Sequence, residues 1–287
     1  MGLLDGLLPP NVERLRERGD VDGLLRALAH QRAEVRASAV AALAAIGGEQ
    51  AVAAMVAALA DPEEQVAKAA MTGLRQLGGA AAGALGEALS HEQTGVAERA
   101  LEVLMTLEPS PAAALLEVLR GGKGAAREHA AHGLEQLVPT LAEERSREVV
   151  VRGLLAALAD KQPSARTAVA TALGTLADPR SAKALVAQLR DGDAGTRAAC
   201  AEALQRIGPP AVPHLVDALA NKNANARAGA ARLLATLGVA TEEVAEGLRG
   251  ALNDREAEVQ TLAREALRTL GLPVERPPEP AEEPTET

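Results

Sequence analysis

No Phe, Tyr or Trp occurs in the 287 residues, and Cys200 is the single cysteine. Without aromatics the chain offers no side chain on which a nucleobase can stack. One thiol excludes an intramolecular disulfide and every cysteine-based zinc site. Cations are in deficit as well: 30 Lys and Arg stand against 39 Asp and Glu, a formal charge of −9. Phosphate contacts need clustered Lys and Arg, so nucleic acid is not an expected partner. Long apolar runs are also missing. The opening MGLLDGLLPP has no basic residue ahead of its leucines and reads as neither a signal peptide nor a membrane span. Gly6 stands where a myristoylation signal wants Ser or Thr. A cytoplasmic setting without a lipid anchor is the expectation.

What is present is Ala, Leu and Val, which supply most of the 47% hydrophobic content. Ala and Leu are the best helix formers, and small side chains suit close helix contacts. Sliding the sequence against itself near thirty residues aligns eight copies of one unit. Two of them are MVAALADPEEQVAKAAMTGLRQLG and LVAQLRDGDAGTRAACAEALQRIG. With the last Leu of each first helix as marker, the copies fall at Leu28, Leu59, Leu89, Leu119, Leu158, Leu189, Leu219 and Leu252. The steps are 31, 30, 30, 39, 31, 30 and 33 residues. A period of this length signals a solenoid, in which each unit buries its apolar face only against its neighbours.

The punctuation inside a unit has physical causes. Asp61 can accept a bond from a free amide at a helix start, Pro62 suits the first helical position, and Glu63 and Glu64 favour the positive end of the helix dipole. Gly47, Gly78, Gly208, Gly238 and Gly271 fall where second helices should stop, as a left-handed terminal residue requires. These breaks exclude a continuous coiled coil. The long fourth step suggests that Pro139 opens a loop into a longer first helix, with a kink at 139–150. Residues 1–20 are expected to form an N-terminal segment and capping helix, 21–272 the solenoid, and 273–287, Pro-rich and acidic, a disordered tail.

Paired short helices with Asp in the inner turn and Val-Arg or Ala-Arg opening the second helix resemble the HEAT-repeat family. The pattern looks most like its short bacterial PBS-lyase-type HEAT-like subclass. The carrying residues are Asp160 with Arg166 and Asp191 with Arg197, plus Arg36, Arg127 and Arg227 at the equivalent position. The resemblance implies an all-α fold, a right-handed α-solenoid of about eight two-helix repeats. It also implies that these Asp and Arg form a structural ladder, broken where repeat 2 has Ala67 and repeat 3 has His91 and Ala97. The family includes scaffolds, chaperone-like factors, bilin lyases and a metal-dependent hydroxylase.

A helical wheel of the second helix of repeat 1 puts Val35, Ala39, Ala42, Leu43 and Ile46 on one side and Ala37, Ala41 and Ala44 opposite. The second set is expected to face solvent, and by the resemblance it lines the concave face. The all-Ala stripe, with Val40 beside it, would need a cover, for which Leu3, Leu4, Leu7 and Leu8 are the candidate cap. The same three positions give Lys68, Thr72 and Arg75 in repeat 2, Glu98, Glu102 and Met105 in repeat 3, and Glu128, His132 and Glu135 in repeat 4. Repeat 5 gives Thr167, Thr171 and Gly174, and repeat 7 gives Ala228, Arg232 and Ala235.

Glu98, Glu102, Glu128 and Glu135 around His132, flanked by Lys68 and Arg75, form the candidate partner-binding patch, suited to a basic segment of another protein. A solvated face of an acidic protein is the plainer reading. A metal held by the Glu and His set is the third, and the resemblance weakens it. The HEAT-like hydroxylase family marks its iron ligands with recurring His-Glu pairs, whereas this chain has one, His91 and Glu92, in a turn. His30 and His91 read as turn residues, and Cys200, aligned with core-facing Ala39, as a buried thiol. No Gly-rich phosphate loop or nucleophile–base set can be drawn from spacing. No catalytic residue, metal or cofactor is therefore expected. The function expected is a non-enzymatic scaffold or adaptor for a protein partner, with a chaperone-like or bilin-lyase-type subunit as the alternative.

Overall fold

The computed structural model describes residues 10–107, 111–123, 125–137, 139 and 144–275. The regular elements among them are all helical. A short helix α1 (Val12–Glu17) is followed by helix pairs, one pair to a repeat. Repeats 1 and 2 are α2 (Val21–Ala27) with α3 (Ala33–Ile46), and α4 (Glu49–Ala58) with α5 (Glu64–Leu77). Repeats 3 and 4 are α6 (Ala82–Ala88) with α7 (Thr94–Leu104), and α8 (Pro111–Gly121) with α9 (Ala126–Leu137). Repeats 5 and 6 are α10 (Glu144–Ala157) with α11 (Pro163–Leu176), and α12 (Ala182–Gln188) with α13 (Ala194–Ile207). Repeats 7 and 8 are α14 (Val212–Ala218) with α15 (Ala224–Leu237), and α16 (Glu242–Ala251) with α17 (Ala257–Thr269). The eight-unit alignment thus becomes eight helix pairs of an α-solenoid.

The chain divides into two compact units between Ser146 and Arg147, in the first turn of α10. The first unit holds repeats 1 to 4 and the second repeats 5 to 8. Within each, first helices stack on first helices and second on second, so that each repeat is covered by its neighbours. Helix α10, at 14 residues, is twice the length of α12 or α14, the longer first helix that the stretched period calls for. Leucine dominates both cores. Leu24, Leu43, Leu74, Leu85 and Leu104 in the first unit, and Leu154, Leu173, Leu204 and Leu234 in the second, are fully buried. Each such burial contributes about 2 kcal/mol, so the stack is held by many modest contacts rather than one central core.

Small residues let the helices approach. A Cβ on Gly174 of α11 would sit 2.9 Å from the Ala203 Cα of α13. One on Gly73 of α5 would lie 2.8 Å from the Ala44 Cβ of α3. The five glycines expected to end second helices, Gly47, Gly78, Gly208, Gly238 and Gly271, all have positive φ. Repeat 5 ends its second helix at Ala177, φ 48° and ψ 33°, the left-handed turn that Gly238 makes in repeat 7.

Several expectations need correction. Ala44 is buried rather than solvent-facing because α5 presses Gly73 onto it, and Val40 is fully buried too. Ile46, assigned to the core face, is 37% exposed, since it lies in the last turn of α3 beyond the tightest packing. Gly174 and Ala228 of the solvent stripe are buried as well. Pro62 does not begin a helix. Asp61 Oδ1 accepts from the Glu63 N–H in a tight turn, and α5 starts at Glu64. The candidate cap Leu3, Leu4, Leu7 and Leu8 lies outside the described residues, as do 276–287 of the acidic tail and most of the loop after Pro139. It is α1 that packs on α2 and α3, where Leu15 occupies the space above Gly23.

Candidate interaction surface

The turn between the two helices of a repeat sets the spacing along the stack. In repeat 1, Arg36 at the start of α3 donates through Nη1 to its own turn, to the carbonyls of His30 and Gln31 at 2.9 and 3.1 Å. Its Nε and Nη2 grip both carboxylate oxygens of Asp61, in the turn of the next repeat, at 2.8 Å each. Arg166 repeats this on the carbonyls of Asp160 and Lys161 and on the Asp191 carboxylate. Arg227 does the same with the carbonyls of Asn221 and Lys222 and the Asp254 carboxylate. The Asp and Arg therefore pair between repeats, not within one. Asp160 meets Arg166 through its carbonyl, and Asp191 meets Arg197 the same way. Each turn Asp also accepts from the N–H two residues on, as do the Nδ1 atoms of His30 and His91.

These pairs are shielded: the side chains are 6 to 13% exposed. Hydrogen bonds from Arg36 hold the Asp61 carboxyl below the usual carboxylate range, and Arg227 does so for Asp254. At Asp191 burial pushes the carboxyl up, and bonds from Arg166 and the Asp193 N–H more than offset it. The tightest second-helix packing, α3 on α5, α11 on α13 and α15 on α17, coincides with these bridges. Asp61 reads from the sequence as a helix-start cap rather than as a ladder partner, and Asp254 is not singled out there. The pairing that finds them is Arg of one repeat with Asp of the next, 25 to 27 residues on.

Within the units, α5 on α7, α7 on α9 and α13 on α15 pack less closely. Repeat 2 has buried Ala67 at the arginine position. The junction is held instead by Arg99 of α7, which reaches back to the Leu59 carbonyl at 2.6 Å and to Glu64 at 3.3 Å. Arg75 of α5 pairs with Glu102 of α7 at 2.8 Å across the same junction, and Lys68 pairs with Glu64 on its own helix at 3.4 Å. Both pairs are exposed and contribute little to stability. Arg99 was missed because it sits two residues past the ladder position.

In the candidate patch, Glu98, Glu102 and His132 are exposed, and Glu128 and Glu135 are half-buried. His132 Nδ1 lies 3.3 Å from Glu135 Oε2, and its Nε2 is 3.0 Å from Gln136. Glu98 and Glu128 have no ion-pair partner among the described residues. No three His, Cys, Asp or Glu side chains converge as metal ligands among the described residues, so Glu98, Glu102, Glu128, His132 and Glu135 are not brought together as a metal set. Cys200 is fully buried, and burial pushes its thiol up to about 12. It is held away from nucleophilic chemistry. Grooves open between helices among the described residues. One of about 680 Å³ lies between first helices α6 and α8, lined by Gly83, Gly86, Glu87, Glu117 and Lys123. Another, about 270 Å³, lies between second helices α13 and α15.

A family model for HEAT repeats matches residues 21–105, 112–205 and 182–268. The chain belongs to the HEAT-repeat family. No curated protein sequence matches it. Among solved structures it is similar to the karyopherin Kap121p bound to the extreme C-terminus of the protein phosphatase Cdc14p, with a TM-score of 0.55 and 14% identity over 90% of this chain and 33% of that one. Kap121p bound to Pho4p gives a TM-score of 0.54 at the same identity and coverage. This HEAT-repeat chain spans about a third of those karyopherins. Human deoxyhypusine hydroxylase matches 90% of this chain and 98% of its own at 22% identity, with a TM-score of 0.36. No helix among the described residues is long and apolar enough to cross a membrane.

Proposed function

We propose that this HEAT-repeat chain is a non-enzymatic scaffold that binds a protein partner on its second-helix face, with the patch of repeats 3 and 4 receiving a basic segment. The observation that carries this is the state of Glu98 and Glu128: on neighbouring second helices α7 and α9, neither carboxylate has an ion-pair partner among the described residues, while Glu102 is only partly neutralised by Arg75. Uncommitted like charges on adjacent helices favour a cationic ligand and speed its encounter. The wider spacing beyond the bridged junctions leaves these side chains accessible. The karyopherin fold neighbours support the reading to the extent that they are bound to protein segments. Assignment to the short bacterial PBS-lyase-type subclass and to the cytoplasm belongs to the same reading and rests on the sequence pattern.

The test is affinity capture from host lysate by the intact chain and by the quadruple Glu98→Gln, Glu102→Gln, Glu128→Gln, Glu135→Gln variant, with metal assayed on the intact preparation. A stoichiometric protein lost in the variant supports docking at repeats 3 and 4. Equal capture by both removes the patch from the working surface, and bound iron or manganese without any protein overturns the non-enzymatic reading.

A further inference from the structure

The bridged junctions share one geometry, and repeat 6 holds half of it. Arg197, at the start of α13, donates through Nη1 to the carbonyls of Asp191 and Gly192 at 2.7 and 3.1 Å. Arg36, Arg166 and Arg227 make the same two bonds at 2.8 to 3.2 Å. Those bonds fix the guanidinium plane so that Nε and Nη2 point to the next repeat, where the others find an aspartate. The corresponding residue of repeat 7 is Asn221. Its Oδ1 accepts from the Asn223 N–H, the turn bond that each ladder Asp also makes. An amide carries no charge to draw the guanidinium, and no carboxylate pairs with Arg197 among the described residues. Asp193 is close enough to feel the Arg197 charge, but its Oδ2 is taken by the Thr196 N–H and hydroxyl.

At this junction α13 and α15 are parted by the groove of about 270 Å³. Arg197 lines it together with small apolar residues, Ala198, Ala201, Ala228 and Gly229. Across the groove Arg232 is only 3.7 Å from Glu258, an exposed and weak pair. The site is therefore a guanidinium fork at the side of a shallow slot whose lining mixes small residues with Gln205, Asn225 and the Arg232–Glu258 pair. Fork-to-fork pairing with a planar carboxylate is the strong, directional use of such a group, and here the fork's ordering cost is already met by the two carbonyl bonds.

We infer that the α13–α15 groove is a recognition site for a single Asp or Glu side chain of a protein partner, which completes on Arg197 the bridge that Asp61, Asp191 and Asp254 complete elsewhere. The inference rests on the reading of the second-helix face as a partner surface, but it uses different residues and the opposite charge from the patch of repeats 3 and 4. Small groove residues admit a segment whose neighbours to the acid are Ala or Leu in size.

The probe is the peptide acetyl-Ala-Leu-Glu-Ala-Leu-amide titrated into the full chain, read from the Arg197 Nε–H signal by NMR, with the Gln-for-Glu peptide in parallel. The expected result is a saturable shift with the Glu peptide and affinity at least tenfold weaker with the Gln peptide, as loss of a charge-assisted bidentate pair implies. Arg197→Gln and Asn221→Asp should each weaken Glu-peptide binding by a similar factor, the second because an internal carboxylate takes the fork. Thermal melts of both variants check that they are folded. A truncation after Glu275 should bind as the full chain does. Equal binding of the two peptides, no shift up to millimolar peptide, or full binding by Arg197→Gln overturns the inference. Tighter binding by the truncated chain also overturns it, by giving the fork to the chain's own acidic tail. The quadruple Glu→Gln variant of repeats 3 and 4 should bind the peptide normally, so failure of one site is distinguishable from failure of the other.

Discussion

Ala177 closes α11 at φ 48° and ψ 33°, in the left-handed conformation that Gly238 adopts at the end of α15. A Cβ in the left-handed region costs on the order of 1 kcal/mol. Ala177→Gly should therefore stabilise the protein by about 0.5–1 kcal/mol, less the extra chain entropy of glycine. A raised urea midpoint with unchanged slope checks this. Arg227, 5% exposed, is the most buried ladder residue. Arg227→Met strands the Asp254 carboxylate and frees two turn carbonyls, so it should cost about 3 kcal/mol. Acid should act through the same groups. Asp61, Asp191 and Asp254 have folded pKa values below their unfolded ones. Their stabilisation is complete above the unfolded value, about 4, and is lost as pH falls through the lower folded values. Melting temperature should drop more steeply below pH 4 in the native chain than in an Asp61→Asn, Asp191→Asn, Asp254→Asn triple variant. Parallel curves would show that the ladder charges do not set the acid limit.

At the scale of elements, helix count, order and most ends were legible, because the period, the turn aspartates and the terminal glycines are local signals. Of the expected ladder residues, Arg36, Arg166, Asp191 and Arg227 take part in bridges between repeats and Arg197 makes only the carbonyl half, and the pairing itself was not legible. An Arg–Asp pair six residues apart looks like one unit until the chain is stacked, and only then does the carboxylate of the next repeat come within reach. The solvent stripe was legible in part: Ala41, Lys68, Thr72 and Arg75 are exposed even though α3 and α5 pack closely. Ala44 and Gly174 are buried by neighbouring helices, which no single-helix wheel contains. That closeness depends on the missing side chain. Gly174→Val would drive a side chain into the Ala203 backbone of α13 and should cost about 2–3 kcal/mol. Gly192→Ala, with open space around it, serves as the neutral control. Equal midpoints for the two variants would mean that α11 and α13 can part freely.

For the whole molecule, the arrangement separates two tasks. Arg–Asp bridges and small residues lock some second helices together, and on the proposed reading the less closely packed ones present charge to a partner: carboxylates at repeats 3 and 4, a guanidinium fork at repeats 6 and 7. A chain without aromatics builds such a surface from charge placement on stacked helices. The division of labour was not legible from composition, since a net charge of −9 averages over both kinds of site. The most direct measurement is hydroxyl-radical footprinting of the chain alone and in complex with the protein it captures. Met105 and His132 report on the second-helix face of repeats 3 and 4, and Val149 and His214 on first helices α10 and α14. Slower oxidation of Met105 and His132, with Val149 and His214 unchanged, is the expected result. Protection of the first-helix residues alone would contradict the account and move the working surface to the opposite side of the stack.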